Sequence, residues 1–197
     1  MIKVALTGGI ATGKSYVLNR LRLRGVPCLD AHELAHGVMA AGTEASRAIG
    51  ERFGAEVIDA SGAVDRRKLG PLVFADPGAR AELEAIVHPA VYRAIEAGLR
   101  AFELIGGSPV VVVDIPLLYE TGHAADFARV VVTVCAPEIQ LARLQARGLS
   151  EEAARQRLAA QMPAAEKGAR ADVVIRTDGT FEETDAQVDR LLRLLLQ

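Results

Sequence analysis

Apolar residues recur along the chain in two alternating rhythms. Short continuous runs at residues 2–7, 26–30, 110–114, 127–136 and 172–175 read as β-strands. Val110-Val111-Val112-Val113 has no polar position, which is the pattern of a central parallel strand covered on both faces. Between these runs, residues 16–24, 31–41, 43–53, 66–74, 77–88, 90–105 and 181–196 carry apolar positions at helical spacing. Pro137 opens another helix, and the arginine-rich span that continues to Arg170 predicts two or three more. Gly25 stops the first helix. Asp30 is placed to cap the next, with Glu33 at the capping-box distance. Pro89 predicts a break and restart, and the turn-rich residues 54–65 read as a small hairpin or loop. Strand and helix alternate throughout, so the expected fold is α/β: a doubly wound parallel sheet of about five strands. About fifty mainly helical residues separate the second and third strands, far more than a crossover needs, and an insertion of that size is a natural place for substrate recognition.

Composition narrows the picture. A chain of 197 residues suits one such domain, and with half its residues hydrophobic but 4% aromatic, its core must be built mainly from Ala, Val, Leu and Ile. The formal charge of −2 gives no global reason to expect a nucleic-acid or membrane partner. Cys28 and Cys135 are isolated in apolar segments without zinc-ligand spacing, so both read as buried thiols. No stretch approaches the roughly 20 apolar residues that span a bilayer, and the chain starts on a strand rather than a signal segment, which points to a cytoplasmic protein.

The strongest chemical signal is Gly8-Gly9-Ile10-Ala11-Thr12-Gly13-Lys14-Ser15, which fits GxxxxGK[ST] at every fixed position directly after the first strand. A strand delivers the loop, glycines let backbone N–H groups face a phosphate, and the following helix aims its positive end at the same anion. Gly8, Gly9, Ala11, Thr12, Gly13, Lys14, Ser15 and Tyr16 are therefore the candidate nucleotide-binding residues. Lys14 is placed to reach the β- and γ-phosphates of ATP, and Ser15 to ligate Mg²⁺. The sequence has only four lysines, and one falls at this position. Asp114 ends the central strand as a second Mg²⁺ ligand would. Asp30 stands at the carboxyl end of the second strand, where ligands bind in such sheets, and can take a proton from an attacking hydroxyl; His32 follows two residues later, and an imidazole is a suitable base. Arg143 and Arg147 share one helix face and suit phosphoryl oxygens in a mobile lid. His36 and His123 read as surface residues. The absence of an Asn-Lys-x-Asp segment argues against a guanine-nucleotide switch.

Further segments extend the loop's message. Val4-Ala5-Leu6-Thr7-Gly8-Gly9-Ile10, Asp30-Ala31 with Ala35, Val87-His88-Pro89, Ile115-Pro116-Leu117-Leu118-Tyr119-Glu120, Gln161-Met162, Lys167 and Ala171-Asp172-Val173-Val174-Ile175 lie in the order and spacing of the dephospho-coenzyme A kinase family, which the chain resembles over essentially its whole length. The resemblance implies a P-loop NTPase-type core at about residues 1–30, 107–136 and 171–197, a helical substrate region at about 31–106 and an arginine-containing lid at about 137–170. It implies Mg²⁺- and ATP-dependent phosphorylation of the ribose 3′-hydroxyl of dephospho-coenzyme A. It further implies catalytic roles for Lys14, Asp30 and Arg143 and substrate contacts from Asp30, His88 and Leu117; His32 joins the catalytic candidates from its place beside Asp30, no nucleic-acid or membrane partner is expected, and the oligomeric state is open, with a monomer compatible with the sequence. Two positions depart from the family: His32 stands where a second Asp is usual, and Arg176-Thr177-Asp178 stands where an Asn is common after the last strand. Another small-molecule or nucleoside kinase, or an ATP-binding homologue with impaired catalysis, is the alternative these departures leave open.

Overall fold

In a computed structural model describing all 197 residues, the apolar runs pair into one parallel five-stranded sheet of order β2-β3-β1-β4-β5. The strands are β1 (Ile2–Gly8), β2 (Cys28–Asp30), β3 (Val110–Asp114), β4 (Arg129–Val134) and β5 (Val173–Arg176). The helices are α1 (Lys14–Leu23), α2 (Ala31–Val38), α3 (Glu44–Phe53), α4 (Arg66–Ala75), α5 (Pro77–Ile105), α6 (Pro137–Ala146), α7 (Glu151–Ala159), α8 (Ala164–Ala169) and α9 (Phe181–Leu195). Register puts Leu6 beside Asp114 and Gly8 beside Thr133, so β1 brings its carboxyl end, where the glycine-rich loop begins, between the ends of β3 and β4.

All five residues of β3 are buried, as an unbroken apolar run requires. Val4, Leu6, Val110, Val112, Val131 and Ile175 form one core with Val17, Leu18 and Leu21 of α1 and Val188, Leu191 and Leu195 of α9. Each such side chain contributes about 1.5–3 kcal/mol on burial. At the edge of this core α1 and α9 are tied by charge. Arg20 donates from Nε (2.7 Å) and NH2 (2.5 Å) to the two oxygens of Asp185, Tyr16 donates to the same carboxylate (3.0 Å), and Arg24 pairs with Asp189 (2.6 Å).

The chain divides into two compact units, residues 1–29 with 102–197, and residues 30–101. The second is helical and packs Ile49, Val57, Val64 and Leu69 against Met39, Phe53, Leu83, Ile86 and Val87.

Several local readings are corrected. Pro89 does not interrupt its helix; α5 runs through it. The lost hydrogen bond and ring clash cost about 3 kcal/mol. Apolar positions on both sides, the half-buried Leu83, Ile86 and Val87 before it and the buried Val91, Ile95 and Leu99 after it, hold the two halves in line. The helix expected to reach residue 41 stops at Val38, because Thr43 donates its hydroxyl to the Val38 carbonyl (2.6 Å) and accepts from the Ser46 amide (3.0 Å), ending α2 and capping α3 together. The small hairpin or loop expected at residues 54–65 is present, as a 3₁₀ turn (Ala55–Val57) and a single antiparallel bridge, Ile58 to Val64, around a turn in which Asp59 accepts from the Ser61 and Ala63 amides. The fourth strand is shorter than residues 127–136, since a 3₁₀ turn (Ala124–Asp126) precedes it and Pro137 opens α6. Cys135 is buried as expected, whereas Cys28 is half-buried; burial still pushes the Cys28 thiol up to about 11.

Candidate active site

The loop between β1 and α1 is shaped by two left-handed residues, Ala11 (φ 60°) and Gly13 (φ 79°). Glycine adopts this conformation without strain; Ala11 bears a cost of about 1 kcal/mol, which the surrounding contacts must offset. Those contacts grip the loop from several elements. Gln140 of α6 donates to the Ile10 carbonyl (2.6 Å), and the Ile10 amide donates to Gln161 Oε1 (3.1 Å). Thr12 donates to the Gly9 carbonyl (2.7 Å) and lies 2.8 Å from the Thr133 hydroxyl, while Thr177 donates to the Thr12 carbonyl (2.7 Å). Thr12, Thr133, Gln140 and Thr177 are all buried. The loop is thus held from behind and faces a pocket of about 280 Å³ lined by Gly8 to Tyr16 together with Pro116, Arg147 and Gln161.

At that pocket α1 begins without any side-chain cap and without an acidic residue in its first turn. In contrast, α2, α3, α4, α7 and α9 are capped by Asp30, Thr43, Asp65, Ser150 and Thr180. The N–H groups and positive end of α1 are left to an external anion. Lys14 ion-pairs with Asp114, whose side chain is only 3% exposed, and Ser15 is exposed beside them. The register of β1 with β3 explains this meeting of residues a hundred positions apart.

A second pocket, of about 370 Å³, adjoins the far side of the loop and is lined by Gly13, Tyr16, Arg143, Arg147, Thr177, Thr180 and Phe181 among others. Arg143 donates to the Ala11 carbonyl (3.1 Å), to Thr177 Oγ1 (3.1 Å) and to the Thr177 carbonyl (2.5 Å), so its guanidinium ties the loop to the end of β5. Arg147 is the exposed arginine that lines both pockets. At the rim Arg176 pairs with Asp178 (2.6 Å), and this hydrogen bond holds the Asp178 carboxyl below its ordinary range.

Leu117, in the turn after β3, is half-buried and its carbonyl accepts from the Thr121 amide and hydroxyl (both 2.9 Å). In the helical unit Asp30 caps α2 by accepting from the His32 (2.8 Å) and Glu33 (3.3 Å) amides. His32 and His36, one turn apart, approach with Nε2 atoms 3.2 Å apart, and Arg66 sits against the His36 ring. His36 is therefore on the surface but not isolated. Desolvation, then Arg66 and His32, hold its pKa below the ordinary 6.5, with Asp30 opposing them. His123 likewise has a partner, Asp126 (2.7 Å). His88 is half-buried within α5.

A model of the family described as dephospho-CoA kinase matches residues 2–183. The chain belongs to the dephospho-CoA kinase family. A dephospho-CoA kinase of Anaeromyxobacter dehalogenans is 48% identical over 192 residues, 96% of this chain and 90% of its relative. A crystal structure from Thermus thermophilus superposes with a TM-score of 0.81 at 35% identity, covering 98% of this chain and 97% of the other. The Campylobacter jejuni dephospho-CoA kinase gives 0.74 at 25% identity, covering 97% and 95%. As a dephospho-CoA kinase family member the chain is a phosphotransferase with ATP as co-substrate, and no helix in it is long and apolar enough to cross a membrane.

Pattern reading missed the residues that hold this kinase loop from behind. Gln140, Thr133 and Thr177 carry no local signal, because each acts on a segment far away in sequence. Lys167 is the clearest case: a lysine in a short helix, it is completely buried. Its rarity among four lysines and its place among the segments that carry the family resemblance single it out, but neither shows that it is buried or what it holds.

Proposed function

We propose that this protein transfers the γ-phosphoryl group of ATP to the ribose 3′-hydroxyl of dephospho-CoA, giving CoA and ADP, the last step of coenzyme A synthesis. The observation that carries this reading is Lys14 paired with buried Asp114 at an uncapped helix start, within a chain matched to the family over residues 2–183. The triphosphate lies against Gly8, Gly9, Ala11, Thr12, Gly13 and Lys14, and the nucleoside occupies the 370 Å³ pocket beside Tyr16, Thr177 and Phe181. Hydroxyl and carboxylate oxygens are suitable donors for a hard cation, so Ser15 and Asp114 would hold Mg²⁺, which when bound neutralises charge on the phosphates. Arg143 fixes the loop and lines the nucleoside pocket, and Arg147 offers its guanidinium to phosphoryl oxygens.

In the reaction the 3′-oxygen forms a bond to the γ-phosphorus as the bond to the β,γ-bridging oxygen breaks, and ADP leaves. The hydroxyl proton passes to Asp30 or His32. Such transfer depends chiefly on positioning and charge stabilisation, so a histidine in place of one carboxylate is compatible with turnover. Acceptor contacts are assigned to Asp30, His88 and Leu117 on the family resemblance.

The test is ADP production from Mg-ATP with dephospho-CoA, compared with adenosine and shikimate as acceptors, over about pH 5.5 to 9. Turnover confined to dephospho-CoA is expected; equal turnover with a control acceptor would refute the assignment. In His32→Asp the rate and the acid limb of the profile move if His32 takes the proton; an unchanged rate and profile would refute that role for His32.

A further inference from the structure

Lysine is almost never fully buried without a partner, and Lys167 is the largest fully buried side chain of the protein. Its ammonium donates to the Pro116 carbonyl (2.8 Å) and pairs with Glu120 Oε1 (2.8 Å). Each partner leads to the triphosphate pocket. Pro116, two residues beyond Asp114, lines that pocket, and its carbonyl also accepts from the buried Thr7 hydroxyl of β1 (3.2 Å). Glu120 Oε1 accepts from the Met162 amide (3.3 Å), and the neighbouring Gln161 both lines the pocket and accepts from Ile10 of the phosphate loop.

We infer that Lys167 is a positioning residue for phosphoryl transfer: one buried ammonium fixes the Pro116 wall and, through Glu120 and Met162, the Gln161 wall of the pocket that receives the triphosphate. The inference rests on the proposed nucleotide site. Lys167 does not touch the nucleotide; it acts through Pro116 and Gln161. Removing one partner of a buried ion pair destabilises a fold, so Lys167→Met is expected to lower the unfolding midpoint as well, and its consequence for the pocket is read separately by binding and kinetics.

The experiment compares Lys167→Met, Glu120→Leu and the double variant by urea unfolding, by direct Mg-ATP binding calorimetry and by steady-state kinetics. Lys167→Met is expected to unfold cooperatively, to bind Mg-ATP several-fold more weakly, and to lose on the order of ten- to a hundredfold in kcat, the size expected when a site is loosened by about an ångström. KM for the acceptor should stay within about twofold, and the double variant should be no worse than Lys167→Met, since both substitutions break one linkage. A merely structural role would move the unfolding midpoint alone. A folded Lys167→Met with parental ATP affinity and kcat overturns the inference. Should Lys167→Met fail to fold, Glu120→Leu, which removes the oxygen that accepts from both Lys167 and the Met162 amide, decides: weakened ATP binding supports the linkage and parental binding refutes it. Calorimetry needs no acceptor, so failure of the dephospho-CoA assignment would appear as ATP binding without turnover, separate from failure of the linkage.

Discussion

Gly8→Ala is the sharpest steric test of how the phosphate loop is held. A Cβ at Gly8 would stand 2.2 Å from Thr133 Oγ1, 2.7 Å from Thr12 Oγ1 and 2.8 Å from the Thr133 carbonyl oxygen. The carbonyl belongs to β4, whose register against β1 pairs Thr133 with Gly8, so it cannot retreat without opening the ladder. The hydroxyls can retreat only by giving up their 2.8 Å contact in a fully buried setting. Overpacking of this kind costs about 1–3 kcal/mol, and a buried hydroxyl left without its partner about 1–3 kcal/mol more. A loss of about 2–6 kcal/mol is therefore expected, a large part of the 5–15 kcal/mol typical of a domain. Urea unfolding measures it, and calorimetry should show weakened Mg-ATP binding because the displaced Thr12 belongs to the loop. Adding Thr133→Ala removes the closest clash, so the double variant should be more stable than Gly8→Ala alone. A Gly8→Ala protein within about 1 kcal/mol of the parent, with parental ATP affinity, would refute this reasoning.

Two further outcomes follow from local geometry. Thr180→Ala removes the hydroxyl of a complete capping box in which Glu183 answers the Thr180 amide (2.8 Å); about 1 kcal/mol of stability should be lost, a fall in Tm of roughly 2–4 °C. In an NMR titration the His36 imidazole should protonate below 6.5, since desolvation, Arg66 and His32 disfavour its charged form, and Arg66→Gln should raise the midpoint. Because the folded pKa is lowered, this group's small contribution is present above the unfolded value and is lost as pH falls through the folded one.

What could be read along the chain was what is encoded locally. The phosphate loop and the four valines of β3 declare themselves because neighbouring residues serve one ligand or one strand, and the sheet follows from their alternation with helices. Pro89 misled because proline's penalty is local while the packing that overrides it is not. Arg143 and Arg147 look alike on a helix face; the fold engages the first with Ala11 and Thr177 and leaves the second exposed along both pockets. Lys167 was invisible in its role because Pro116 and Glu120 reach it only after α8 has packed on the sheet. The His32–His36 contact lay within helical spacing, yet two exposed histidines carry no pattern that separates a pair from a polar face.

The most direct measurement is phosphorus NMR of the product formed from Mg-ATP and dephospho-CoA. A phosphomonoester resonance coupled to the ribose H3′ proton, growing in step with ADP, is the predicted result. ADP without a new phosphomonoester, or a phosphate coupled to H2′, would contradict transfer to the 3′-hydroxyl.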